Sequence, residues 1–65
     1  MVTPTEVLQK HFTAQIDKHK LNVQILLENP RAIPEHTDFA EAVEKELEQV
    51  AHWNDMLEAL RLCEQ

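Results

Sequence analysis

The sequence predicts an all-α protein, an antiparallel two-helix hairpin that dimerises into a four-helix bundle. Two long stretches of the 65 residues repeat apolar side chains at steps of three and four, the spacing of one helix face. The segment between them contains Pro30 and Pro34, and the chain has no glycine and little strand-like alternation. We therefore expect a single domain over residues 1–65, with helices at about 4–28 and 38–63 and a connection at 29–37.

The start and the end of the first helix are both marked in the sequence. Thr3 suits the N-cap, Pro4 suits the first helical position, and Glu6 completes a capping box three residues after the cap. The apolar pattern then continues to about Glu28. The helix is expected to end there, because Asn29 precedes Pro30 and a residue before a proline avoids the helical region of backbone space. These signals predict a helix of about seven turns.

The second helix is expected to begin at Thr37 or Asp38. Asp38 followed by Glu41 resembles another capping box, and the apolar pattern continues to about residue 62. The connection before it is slightly long for two packed helices, and its prolines stiffen it. An alternative to a purely structural connection is a recognition role for its polar residues, Arg31, Glu35 and His36.

Each predicted helix carries one seam, a row of side chains that packs against the other helix. The seam residues are Leu8, Phe12, Ile16, His19, Val23 and Leu26 on the first helix, and Phe39, Val43, Glu46, Val50, Trp53, Leu57 and Leu60 on the second. Each seam has one polar member, and antiparallel pairing outward from the connection puts both in the same layer. The sequence therefore predicts that Glu46 occupies an apolar position because His19 lies opposite it.

The polar pair has a structural interpretation and a functional one. A partly buried charged pair contributes little net stability but specifies register, since a slip would place both groups against apolar side chains. The alternative is a metal-binding bundle, in which two hairpins bring two copies of His19 and Glu46 into one core. Di-iron bundles use Glu-x-x-His helices, whereas Ile16 stands three residues before His19. We therefore expect a structural polar layer and no metal or cofactor.

The seam does not account for all of the apolar residues. A two-helix hairpin that left the remainder in water would be marginally stable, and a dimer of hairpins would cover them. A heteromeric protein partner is the alternative. The predicted interaction stripe consists of Leu21, Ile25, Met56, Leu60 and Cys63.

The charge of the chain is concentrated in its second half. Residues 1–31 have four basic and three acidic side chains, whereas residues 32–65 have two basic and nine acidic ones, which gives +1 and −7 within a total of −6. This pattern fits a solvated helix face that keeps the chain in solution, and the alternative is a docking surface for a basic partner. The acidic residues of that predicted face are Glu41, Glu44, Glu48 and Asp55.

The N-terminal stretch and the cysteine content predict a cytoplasmic protein without membrane contact. The stretch MVTPTEVLQKHF has no basic region followed by an apolar core, and no apolar run reaches the roughly 20 residues that span a bilayer. Cys63 is the only cysteine, which excludes a disulfide within the chain and fits a reducing compartment.

The functional expectation is a small non-catalytic protein-interaction module, a regulator, adaptor or assembly subunit that acts as a helical-hairpin dimer. The chain has no serine, tyrosine or glycine, and therefore no serine nucleophile and no phosphate-cradling glycine loop. Its expected partner is a second copy of itself, another protein, or both.

The proposed dimer resembles, in architecture alone, the Rop type of RNA-binding four-helix bundle, and this resemblance implies RNA binding as an alternative function. Three lysines of the first helix, Lys10, Lys18 and Lys20, point in different directions around it, which argues against a concentrated RNA-binding stripe. The stretch AIPEHTDFAEAVEKELEQVAHW (32–53) also has a general resemblance to small phage-encoded helical proteins, without a motif that assigns a family.

Overall fold

The computed structural model of the chain describes residues 1–29 and 36–64 and contains two α-helices, α1 (Pro4–Glu28) and α2 (His36–Cys63). The helices pack against each other, which confirms the predicted all-α hairpin. Helix α2 begins at His36, one or two residues before the predicted start at Thr37 or Asp38. Arg31 and Glu35, for which a recognition role is an alternative, lie outside the described residues, as does the side chain of His36.

The ends of α1 are held by local hydrogen bonds. The Thr3 hydroxyl accepts a hydrogen bond of 3.1 Å from the Glu6 backbone N–H, and Pro4 occupies the first turn, where no N–H donor is needed. At the other end, the backbone N–H and the side-chain amide of Asn29 both donate to the Ile25 carbonyl, at 3.0 and 3.1 Å. These bonds satisfy backbone groups that would otherwise have no partner at the helix ends.

The charges at the two ends of α2 match its dipole. Asp38 lies in the first turn and Arg61 in the last turn, where a negative and a positive charge respectively are favourable. Arg61 also donates a hydrogen bond of 2.9 Å to Glu58, one turn earlier. Both side chains of this pair are more than half exposed, so it contributes little to stability.

The two helices run antiparallel in the predicted register. His19 contacts Glu46, and seven residues earlier on α1 Phe12 contacts Trp53, seven residues later on α2. The residue numbers add to 65 in both pairs, so there is no register slip between them. The seam residues are buried or partly buried except Leu8, which is 42% exposed near the open end of the hairpin.

The core of the single hairpin is thin. Among the described residues, Phe12 is the only buried one, at 7% exposure, and no polar residue is buried. The molecule measures 47 × 21 × 11 Å, and its smallest dimension is that of one layer of helix. Each seam side chain therefore has a neighbour across the hairpin, while both flat faces of the hairpin remain open to solvent.

Candidate functional site

A polar layer of three side chains crosses the seam near its middle. His19 Nδ1 lies 2.5 Å from Glu46 Oε2, and the Asn22 side-chain amide donates a hydrogen bond of 3.2 Å to the same oxygen. A carboxylate can only accept hydrogen bonds, so the proton of this short contact resides on His19 Nδ1. The His19 and Glu46 side chains are 13% and 25% exposed, which makes the layer partly buried rather than solvated.

The electrostatics of the polar layer favour an ionised carboxylate. The hydrogen bond from His19 is the main cause that lowers the pKa of Glu46 below its usual 4.5, and partial burial opposes this effect. The hydrogen bond from Asn22 and the positive charge of Lys18 lower this pKa further. The seam thus contains the charged carboxylate of Glu46, which accepts hydrogen bonds from His19 and Asn22 and keeps some contact with water.

The polar layer contains one histidine and one carboxylate as ionisable groups. Within residues 1–29 and 36–64, no group of three or more His, Cys, Asp or Glu side chains is arranged to hold a metal ion. The alternative of a metal-binding bundle would require a second hairpin to supply ligands. In such a bundle His19 could bind the metal through Nε2 while its Nδ1–H still donates to Glu46 Oε2, the usual arrangement of a metal-binding histidine beside a carboxylate.

Trp53 is at the centre of an aromatic cluster, seven residues or about two helical turns after Glu46 on α2. The centroid of its ring lies 5.9 Å from that of Phe12. Two histidine rings pack against it in T-shaped arrangements, with centroid distances of 5.4 Å for His11 and 4.9 Å for His52. Both histidines are exposed, so they cover the ring toward the solvent. The indole Nε1 is buried without a hydrogen-bond partner among the described residues. The cluster is therefore mainly apolar packing, with one unused donor.

An apolar groove lies on one face of the hairpin, and we call it the leucine groove. It has a volume of about 410 Å³ and is lined by Lys20, Val23, Gln24, Leu27, Glu28, Leu47 and Val50. Leu27 and Leu47 are 58% and 51% exposed, although each follows a partly buried residue of the seam. The sequence analysis did not include these two leucines. Their position beside the seam could have identified them, because residues there contact the neighbouring helices of a four-helix bundle.

A second groove lies on the opposite face, and we call it the polar groove. It has a volume of about 390 Å³ and is lined by Asn22, Ile25, Leu26, Ala42, Lys45 and Glu46. Lys20 and Asn22 are two residues apart, about 200° around α1, and Leu47 and Lys45 are separated in the same way on α2. The two grooves thus flank the contact between the helices from opposite sides, and Glu46 reaches solvent through the polar groove.

The residues of the predicted apolar stripe do not form one surface in a single hairpin. Leu21 and Ile25 are 54% and 48% exposed near the end of α1, with Leu21 on the side of α1 that faces away from α2. Met56 and Cys63 are exposed and Leu60 is partly buried, and all three lie toward the far end of α2. About 15 residues of helix, or roughly 23 Å, separate the levels of Ile25 and Met56.

The residues of the predicted acidic face are all exposed on α2. Glu41, Glu44, Glu48 and Asp55 lie about 150° or more around the helix from the centre of its seam. They therefore form the side of the hairpin that points away from α1, where a partner could reach all four carboxylates at once.

Comparisons of the chain with protein-family models, with curated proteins and with solved structures find no match in any of the three. In the part of the chain that the structure describes, neither helix combines the length and the apolar content needed to cross a bilayer.

Proposed function

We propose that this chain is a small non-catalytic protein-interaction module, a regulator, adaptor or assembly subunit that acts as a dimer of hairpins. The observation that carries the proposal is the thin core. A chain of this size needs more buried apolar surface than a seam in which Phe12 is the only buried residue among those described. Association with a second hairpin supplies that surface without a metal or a disulfide.

The accessible surface supports a second copy as the missing element. The chain exposes 5156 Å², whereas a compact monomer of 7.6 kDa exposes about 4300 Å² by the usual scaling with mass. The excess is roughly 850 Å² per chain, or roughly 1700 Å² for two chains. A stable interface between two proteins buries about 1600 Å² in total, so one dimer contact would remove the excess.

The acidic face gives the dimer a surface for a further partner. Glu41, Glu44, Glu48 and Asp55 are exposed and lie on the side of α2 away from α1, so the contact between the two helices of one hairpin leaves them accessible. Their chemistry fits a protein segment rich in lysine or arginine. A nucleic-acid backbone would be repelled by the same surface, which makes RNA binding the less favoured function.

Sedimentation equilibrium of the full chain at neutral pH, over a wide range of protein concentration, tests the dimer. We expect a reversible monomer–dimer equilibrium and a helical circular dichroism signal that weakens on dilution, because association stabilises the folded state. A chain that stays monomeric and fully helical at every concentration would show that the hairpin needs no second copy.

Two binding measurements then test the acidic face. The chain is expected to pass through a polyanion column at low salt, and retention there would favour the Rop-like RNA-binding alternative. Proteins captured from a cell lysate are compared between the wild type and a Glu44→Lys/Glu48→Lys variant. A partner that binds the two equally does not use the acidic face.

A further inference from the structure

We propose that the leucine groove is the dimer contact, and that two copies pair through it with the Glu28 and His36 ends of both hairpins at the same end of the bundle. In this arrangement α1 of each copy lies against α2 of the other. The inference rests on the proposed function, since it specifies the geometry of the dimer proposed above.

The leucine groove is the better of the two faces for a second copy. Its walls include four aliphatic side chains, and two of these, Leu27 and Leu47, are more than half exposed. The leucine groove also has two charged lining residues, Lys20 and Glu28, but both are exposed and can keep their contact with water. The polar groove instead contains the Asn22 amide and the partly buried carboxylate of Glu46, which stays charged because its pKa is lowered. Covering the polar groove would remove the remaining water from this charge, which costs several kcal/mol unless a new partner appears.

With the helices of both copies aligned as in a four-helix bundle, two-fold symmetry leaves two ways to stack one face of the hairpin on itself. If the axis runs along the helices, both hairpins point the same way and α1 lies over α2 of the other copy. If the axis runs across both helices, the hairpins point in opposite directions, with α1 over α1 and α2 over α2. In either case the same surface of each copy forms the contact.

The position of the groove favours the first arrangement. The leucine groove lies in the half of the hairpin nearer Glu28, so hairpins that point the same way place both grooves, and both copies of Leu27, at one level. Hairpins that point in opposite directions and overlap fully place Leu27 against the first turns of the other α1. The same face carries Glu6 and Gln9 there, which are poor partners for an exposed leucine.

The charges favour the same arrangement. Asp55 of one copy lies at the level of Lys10 of the other when the hairpins point the same way, because the register that aligns α1 with its own α2 also applies between copies. Full overlap in opposite directions puts Asp55 at the level of Glu44 in the other copy, and symmetry repeats this like-charge contact. All three side chains are exposed on the outer sides of their helices, where opposite charges stabilise and like charges destabilise an interface.

The distance between the two copies of Cys63 distinguishes the arrangements. Cys63 is exposed, is the only cysteine, and lies at the end of α2 far from the leucine groove, so a nitroxide can be attached to the otherwise unchanged chain. Hairpins that point the same way put the two labels about 20–35 Å apart, from helix spacings of about 10 Å and the length of the label. Opposite hairpins separate them by more than about 40 Å, because α2 is about 42 Å long.

Double electron–electron resonance on the labelled dimer gives this distance. A single short distance supports the inference. A single distance above about 40 Å overturns it while leaving the proposed dimer intact, since the hairpins are then paired in opposite directions. The absence of any dipolar coupling, together with a monomer in sedimentation, overturns both the inference and the dimer.

A matched pair of variants tests the face itself. Leu47→Glu places a carboxylate in the leucine groove, whereas Leu21→Glu places it on the far side of α1, and the two leucines are exposed to nearly the same extent, 51% and 54%. We expect Leu47→Glu to raise the dimer Kd by at least about 100-fold, because each copy then loses an apolar contact and places a carboxylate between the two grooves, and Leu21→Glu to change it little. The reverse result would assign the contact to another face.

Discussion

The polar layer offers a direct test of why a carboxylate occupies the seam. Glu46→Gln keeps the size and shape of the side chain but removes the charge that His19 and Asn22 stabilise. Hydrogen bonds to a charged group contribute about 1.5–3 kcal/mol, and the 25% exposure of Glu46 places this case at the lower end. We expect Glu46→Gln to lower the free energy of unfolding by about 1–2 kcal/mol at pH 7.

The same layer predicts how stability depends on pH. The His19 hydrogen bond, with smaller contributions from Asn22 and Lys18, lowers the pKa of Glu46 in the folded protein below 4.5. A group with a lowered folded pKa contributes stability that is fully present above its unfolded value and is lost as the pH falls through its folded value. Wild-type protein should therefore lose more stability than Glu46→Gln when the pH falls below about 4.5.

The assay is urea unfolding followed by circular dichroism, with all variants at one protein concentration because dimerisation contributes to stability. A double-mutant cycle with His19→Leu and Glu46→Leu isolates the interaction between the two side chains. We expect a coupling of about 1 kcal/mol or more, and a double variant at least as stable as the wild type, since apolar replacement of a buried pair is often neutral or stabilising. A coupling below about 0.3 kcal/mol, with parallel pH profiles, would refute the reasoning.

Two further predictions concern the core and the cap. Phe12→Ala removes the most buried side chain of the described residues and its contact with Trp53, so we expect the free energy of unfolding to fall by about 3–5 kcal/mol and most helical signal to be lost at 25 °C; a loss below about 1 kcal/mol would show that the core lies elsewhere. Thr3→Ala removes the hydroxyl that accepts from the Glu6 N–H and should cost about 1 kcal/mol in thermal unfolding. Thr13→Ala, at an exposed position inside α1, is the control for Thr3→Ala and should not destabilise.

Local signals in the sequence were sufficient to predict the hairpin. The cap at Thr3, the proline at position 30 and the steps of three and four each act within a few residues, and they place α1 at Pro4–Glu28. The sequence also predicted that His19 and Glu46 lie opposite each other. Each seam has one polar residue, and only one register of the two helices puts both in the same layer. The structure brings these two side chains into contact at 2.5 Å.

The parts that the sequence did not predict depend on the three-dimensional path of the chain. Leu27 and Leu47 each follow a seam residue, and only the packed pair of helices shows that their side chains border one groove. Asn22 joins the polar layer because it lies one turn after His19, on the side from which the Glu46 carboxylate can be reached. Helix α2 starts at His36, no more than about half a turn before its predicted start at Thr37 or Asp38. Propensity alone does not define a helix end more closely than one or two residues.

The constant register between α1 and α2 determines how the length of this hairpin can change. Deletion of one residue from α1 would rotate every later side chain by about 100°, which would move His19 away from Glu46 and expose half of the seam. Removal or insertion of seven residues in both helices, on the same side of the polar layer, keeps the seam nearly in phase. The length of the hairpin can therefore change in steps of about 10 Å while the polar layer stays intact.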